Sequence, residues 1–253
     1  MSKRPHRGPE SEIAESARAF ATTHWSLIAR AAVQDRSPGA RTALETLCRL
    51  YWYPLYSFVR LSGSPPADAQ DLAQGFFLQL LKTNFLNDVA PQKGKFRSFL
   101  LASLKHYLAN ERDRARAQKR GGGQIPISID EQDAEGRYRL EPIDQMTPEK
   151  LYERRWALTV LDRTLARLRE DYAASGRMAL FNGLKEDLAG GERALTHAEI
   201  GRQLNMTPGA VKVAAHRLRK RFRDFLRTEI AATVSSPDEI EEELRHLFRV
   251  LST

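Results

Sequence analysis

Apolar side chains recur three and four residues apart along most of this chain, the spacing of helices that bury one face. Over 11–34, Trp25, Leu27, Ile28, Ala31 and Ala32 form one such stripe, broken by Asp35, Arg36, Ser37, Pro38 and Gly39. A longer stripe over 40–61 runs through Leu44, Leu47, Leu50, Tyr51, Leu55, Phe58 and Val59, with Pro54 inside it as a candidate kink. The loop Ser62-Gly63-Ser64-Pro65-Pro66 precedes a helix that begins near Ala67 or Asp68 and carries Leu72, Phe76, Phe77, Leu80 and Leu81. A loop over 84–95 follows. One helix is then expected from Phe96 to about Lys119, stopped by Gly121, Gly122 and Gly123.

Residues 124–147 break the pattern. Ile125, Ile127 and Ile129 alternate briefly, but six carboxylates against Arg137 and Arg139 leave the stretch at −4. It reads as an acidic linker and not a strand. Thr147, Pro148 and Glu149 then open a helix, with threonine as N-cap and proline at the first helical position. Leu151, Leu158, Leu161, Leu165 and Leu168 run along it, and a glycine-bearing stretch surrounds a short helix over 180–188. The expected fold is all-α, two helical domains joined by the acidic linker. The expected parts are a disordered tail over 1–12, a first domain over 13–122, the linker over 123–147, a second domain over 148–234 and a helical extension over 235–253. In the extension, Leu244, Leu247, Phe248 and Leu251 share a face that either folds onto the second domain, the reading preferred, or offers a regulatory partner site.

The second domain holds the most specific local signal. Thr196-His197-Ala198-Glu199 is a capping box, in which the threonine hydroxyl and the glutamate each satisfy a backbone N–H of the first turn. Ile200 and Leu204 give that helix its apolar face, and Asn205-Met206 makes a turn. Thr207-Pro208-Gly209 starts a second helix, buried along Val211, Val213 or Ala214, Leu218, Phe222 and Phe225. Two short helices joined this way form a helix-turn-helix, whose second helix enters the DNA major groove.

Charge sharpens this expectation. The chain carries a formal net charge of +8 and a pI near 9.7, which points to a polyanionic partner. Seven Lys/Arg against Asp224 alone put +6 on residues 211–228. Lys212, His216 and Arg217 are the best placed to read base edges, and Arg219 and Lys220 to grip phosphate, with Thr207 at the helix start. A merely solvated basic helix is the plain alternative.

A second basic segment lies in the first domain. Residues 93–120 hold nine Lys/Arg against Glu111 and Asp113, a balance of +7, with Phe96, Phe99, His106 and Tyr107 interleaved. Cations beside aromatic faces suit unpaired nucleic acid, although Phe96 and Phe99 serve a core equally well. Just before it, Asp68 and Asp71 lie one helical turn apart with Gln74 on the same side, an acidic face in a basic protein.

Asp68-Ala69-Gln70-Asp71-Leu72-Ala73-Gln74-Gly75-Phe76-Phe77-Leu78 resembles the core-polymerase-binding helix of bacterial extracytoplasmic-function sigma factors, usually Asp-Ala-Glu-Asp-Leu-Val-Gln-Glu-x-Phe-Leu. Phe96-Arg97-Ser98-Phe99-Leu100 is similar to the family's melting and minus-ten-reading segment. Glu199-Ile200-Gly201, Leu204-Asn205-Met206-Thr207 and Gly209-Ala210-Val211-Lys212 resemble its minus-thirty-five reader. The resemblance covers about 40–120 and 150–228, in the family's order. It implies a region-two-like first domain and a region-four-like second domain. Asp68, Asp71, Gln74 and Phe77 would then bind core RNA polymerase. Lys95, Phe96, Arg97, Phe99, His106, Asn110 and Arg112 would meet the minus-ten element. Thr207, Lys212, His216, Arg217, Arg219 and Lys220 would meet the minus-thirty-five element. Promoter DNA, duplex and melted, would be the second partner, and the acidic linker would thread towards the polymerase channels. An anti-sigma factor or a kinase stays open as regulator. Gln70 and Gly75 stand where the family often has glutamate, and the segment over 173–193 is longer than usual.

Other classes fit less well. The six histidines are scattered without metal-ligand spacing, and no phosphate-binding glycine loop or nucleophile elbow is present, so no enzyme, metal or cofactor is expected. The single cysteine, Cys48, permits no disulfide. Lys3, Arg4 and Arg7 run into polar residues and not an apolar core segment, and no membrane-length apolar run follows, so a cytoplasmic protein without a membrane partner is expected. The rival reading is a helix-turn-helix transcriptional regulator that acts without polymerase.

Overall fold

A computed structural model describes residues 38–82, 95–117, 135, 138, 146–189, 195–234 and 236–252. The expectations for 1–37, all but Lys95 of the loop over 84–95, the glycine run and most of the acidic stretch lie outside these residues. All regular structure among the described residues is helical. In chain order the helices are α1 (Pro38–Leu61), α2 (Pro66–Lys82), α3 (Phe96–Ala117), α4 (Pro148–Ala174), α5 (Met178–Leu184), α6 (Glu186–Ala189), α7 (His197–Leu204), α8 (Pro208–Ala231) and α9 (Ile240–Leu251). A single 3₁₀ turn, Pro237–Glu239, leads into α9. Pro54 lies inside α1 without ending it.

Helix ends follow from local chemistry. Gly63 (φ 97°) and Gly176 (φ 68°) take the left-handed conformation that closes α1 and α4. At Gly176, Arg177 N–H donates to the Tyr172 carbonyl (2.8 Å) and Gly176 N–H to that of Ala173 (3.0 Å), which satisfies carbonyls the helix would otherwise leave bare. At the start of α4, Lys150 N–H donates to the Thr147 hydroxyl (3.3 Å), the cap expected from the sequence.

The chain forms two compact units: residues up to Thr159 together with Ile230–Thr253, and Val160–Glu229. The first half of α4 and all of α9 therefore belong with the first unit, not the second. In the first unit α1 packs against α2, and α2 against α3. Its core is strongly aromatic. Tyr51 meets Phe96 edge-on (centroids 5.5 Å), Trp52 meets Phe77 (5.9 Å), and Phe76 lies beside Tyr107 (5.8 Å). Each such ring, fully buried, contributes about 1.5–3 kcal/mol. Burial pushes the Tyr107 hydroxyl up to about 12, with Glu111 adding to the rise. A Cβ on Gly75 would meet that hydroxyl, so a larger residue there would require the Tyr107 side chain to shift.

The second unit is built on Leu168, Tyr172, Phe181, Leu184, Ile200, Val211, Ala215 and Leu218. Part of the acidic stretch is anchored within the first unit. Arg60 holds Glu135 with two hydrogen bonds of 3.0 Å, Tyr56 donates a third, and Tyr138 is buried under the Arg60 guanidinium (4.8 Å). At Glu135 and Tyr138, then, the segment is not a free linker.

Candidate nucleic-acid interface

In the second unit, the α7 start is the capping box expected. Thr196 N–H donates to the Glu199 carboxylate (2.8 Å), and Glu199 N–H donates to the Thr196 hydroxyl (3.3 Å). The Thr196 hydroxyl and backbone N–H hold the Glu199 carboxyl below its ordinary range. Asn205, left-handed at φ 54°, ends α7, and Met206 N–H donates to the Gly201 carbonyl (2.8 Å). The turn is tight enough that a Cβ on Gly201 would stand 2.6 Å from the Met206 carbonyl oxygen. α8 begins with Ala210 N–H donating to the Thr207 hydroxyl (3.2 Å), so that hydroxyl is committed to capping.

Burial divides α8 into two faces. Val211, Ala215 and Leu218 enter the core, and Ala214 packs against it, while Val213 is 50% exposed. Of the two alternatives raised by the sequence, Ala214 is the inward one. Lys212, His216, Arg217, Arg219 and Lys220 are exposed on the other side, with Thr207 at its start. Arg221 is drawn away from that set. It forks onto Asp171 (2.7 and 3.3 Å) and lies over Phe225 (4.8 Å). Glu229 likewise takes Arg163 (3.1 Å) and Arg167 (3.6 Å). These pairs fix α8 against the second half of α4.

In the first unit, Asp68 and Asp71 are exposed on α2, whereas Gln74 and Phe77 are buried. The expectation that Gln74 shares the outer face is corrected here. At 100° per residue, Gln74 has turned 120° away from Asp71's far neighbour Asp68 and enters the helix interface. On α3, Phe96 is a core residue and Phe99 lies partly buried beside it (6.2 Å). His106, Asn110 and Arg112 are exposed. His106 and Asn110 line a shallow hollow with Phe76, Gln79, Leu80, Ser103 and Tyr107. Lys105 pairs with Glu149 (2.7 Å), which holds that carboxyl below its ordinary range.

The remaining two candidates, Lys95 and Arg97, are already occupied. Arg97 is buried, pairs with Glu153 (2.8 Å) and with Glu243, and covers the Trp156 ring (4.9 Å). Lys95 pairs with Glu242 (2.7 Å) and Glu243 (3.0 Å). Both glutamates stand on α9, which therefore folds onto the first unit, contrary to the expectation of docking on the second domain. Its buried face is Ile240, Glu243 and Leu247, while Phe248 is 53% exposed. An ion-pair network reaching across 146 residues of sequence has no local signature, so the periodicity of apolar residues alone did not place α9.

His246 completes the network, hydrogen-bonded to Glu153 (2.8 Å) and packed on Trp156 (6.2 Å). Burial holds its imidazole below the ordinary 6.5, against the opposing pull of Glu153. The unfolded chain then binds the proton more readily. The stability this contributes is present above pH 6.5 and is lost as pH falls through the depressed folded value. Between pH 7.5 and 5.5 the thermal midpoint of the wild type is expected to fall further than that of His246→Gln, and equal falls would show that His246 is not the group responsible.

Among the described residues no helix is long and apolar enough to cross a membrane. Comparison of the chain with protein-family models, with curated proteins and with solved structures gives no match.

Proposed function

We propose that this protein is a sigma factor: it binds core RNA polymerase and directs it to promoter DNA, with no catalysis of its own. The observation that carries the reading is the capped α7–α8 pair. Its turn is fixed by Asn205 and Gly201, and its outer α8 face presents Lys212, His216, Arg217 and Lys220 to solvent. A helix-turn-helix uses that arrangement to put one helix into the major groove. Val213, half exposed beside Lys212, offers an apolar contact of the kind that reads a thymine methyl. A duplex reader alone needs no second site. The exposed carboxylates of Asp68 and Asp71 and the exposed His106, Asn110 and Arg112 on another unit favour a protein with two tasks.

The rival, a duplex-binding regulator without polymerase, gains from the burial of Gln74 and Phe77, which narrows the docking face on α2 to Asp68 and Asp71. In vitro transcription separates the two. With core enzyme and its cognate promoter, the wild-type protein is expected to yield specific transcripts. Asp68→Arg with Asp71→Arg should lower them at least tenfold through weaker core binding, leaving promoter-duplex affinity in place, since several kcal/mol of docking energy turn on a few interface residues. Tight promoter binding with no transcripts at any core concentration would retire the sigma reading.

A further inference from the structure

We infer that α9 is an intramolecular competitor for nucleic-acid phosphate at Lys95 and Arg97, and that a nucleic-acid strand takes those two cations by displacing it. The inference rests on the proposed nucleic-acid role of the first unit. It adds a device that controls when that unit's cations are available.

The contacts are matched to such an exchange. The two α9 carboxylates bind the two cations at the start of α3, Glu242 on Lys95 and Glu243 on both. A phosphodiester presents the same charge and the same acceptor oxygens, so it can replace a carboxylate without leaving either cation uncompensated. Lys95 holds the Glu242 carboxyl below its ordinary range. The segment that carries it is net anionic, with Asp238, Glu239, Glu241, Glu242 and Glu243 against Arg245 and Arg249. These acids would be repelled by an arriving strand. The exposed His106, Asn110 and Arg112 lie further along the same α3 and give that strand a first foothold outside the clamp. The apolar hold on α9 is modest. Of its apolar residues only Ile240 and Leu247 are buried, Ile240 marginally, and Phe248 is largely exposed.

The test uses the full chain, an oligodeoxythymidine strand as probe and two readouts. Glu242→Gln removes one exposed competitor charge, and Glu186→Gln makes the same net-charge change in the other unit. Glu242→Gln is expected to bind the strand roughly two- to fivefold more tightly than wild type, the size of an exposed ion pair, and Glu186→Gln to bind it like wild type. In wild-type protein, saturating strand should speed amide hydrogen exchange over 240–251. Equal affinity of the two variants, a strand that leaves α9 protection unchanged or raised, or a strand that binds neither wild type nor Glu242→Gln would each overturn the competitor role. None of these outcomes touches duplex promoter binding by α8 or transcription with core enzyme, which test the sigma reading separately.

Discussion

Glu243→Ala is expected to cost the protein about 3 kcal/mol of stability, read as a lower urea midpoint with an unchanged slope. Glu243 is 1% exposed and stands between Arg97 and Lys95. Removing one partner of a buried pair leaves the other charge without compensation, which typically costs about 3–5 kcal/mol. The lower end applies because Arg97 keeps Glu153 and Lys95 keeps Glu242. A double-mutant cycle makes the source plain. Arg97→Met alone should also destabilise, because it leaves the buried Glu243 paired with Lys95 but without its arginine. Arg97→Met with Glu243→Leu should recover much of the loss, since well-packed apolar residues often replace a buried ion pair without penalty. Additive losses in the double variant would mean that packing against Trp156, and not the charge pair, is what each residue supplies.

How much of this was legible in the sequence depends on the range of the interaction. The caps at Thr147, Thr196 and Thr207 join residues three apart, so hydroxyl, proline and glutamate in the right order predict them, and each is present. The inward face of α8 follows the helical repeat, and only the choice between Val213 and Ala214 needed the packed structure. Gln74 failed for a related reason. Three residues at successive turns, Asp68, Asp71 and Gln74, drift around the helix, and the third lands in the interface. What local pattern could not give were the long-range pairs: Arg60 with Glu135, Arg97 with Glu243 and His246 with Glu153. An acidic residue on an amphipathic helix reads as solvent-facing unless its partner is known. Here the partner was the arginine assigned to DNA. The one sign in the sequence was that α9 carries more charge on its first turn than a surface helix needs to complement its dipole, with Glu241, Glu242 and Glu243 in succession.

Alanine substitutions along the outer face of α8 are expected to divide into two kinds. Arg217→Ala, in the third turn of α8, should cost about 1–3 kcal/mol on promoter duplex and much less on a scrambled duplex, as loss of a base-edge contact does. Lys212→Ala is expected to behave in the same way. Lys220→Ala, two turns on from Lys212, should weaken both duplexes alike and reduce the salt slope by about 0.9, as loss of one phosphate contact does. Thr207→Ala serves as the contrast. Its hydroxyl is spent on the Ala210 N–H, so its loss should cost about 1 kcal/mol of folding stability and leave the ratio of promoter to scrambled affinity unchanged. Lys212, Arg217 and Lys220 are exposed and take no part in the unit's core, so a loss of binding by Lys212→Ala, Arg217→Ala or Lys220→Ala would not be a loss of fold. If all three lower promoter and scrambled affinity equally, α8 contributes charge alone, and sequence reading would have to come from elsewhere in the chain.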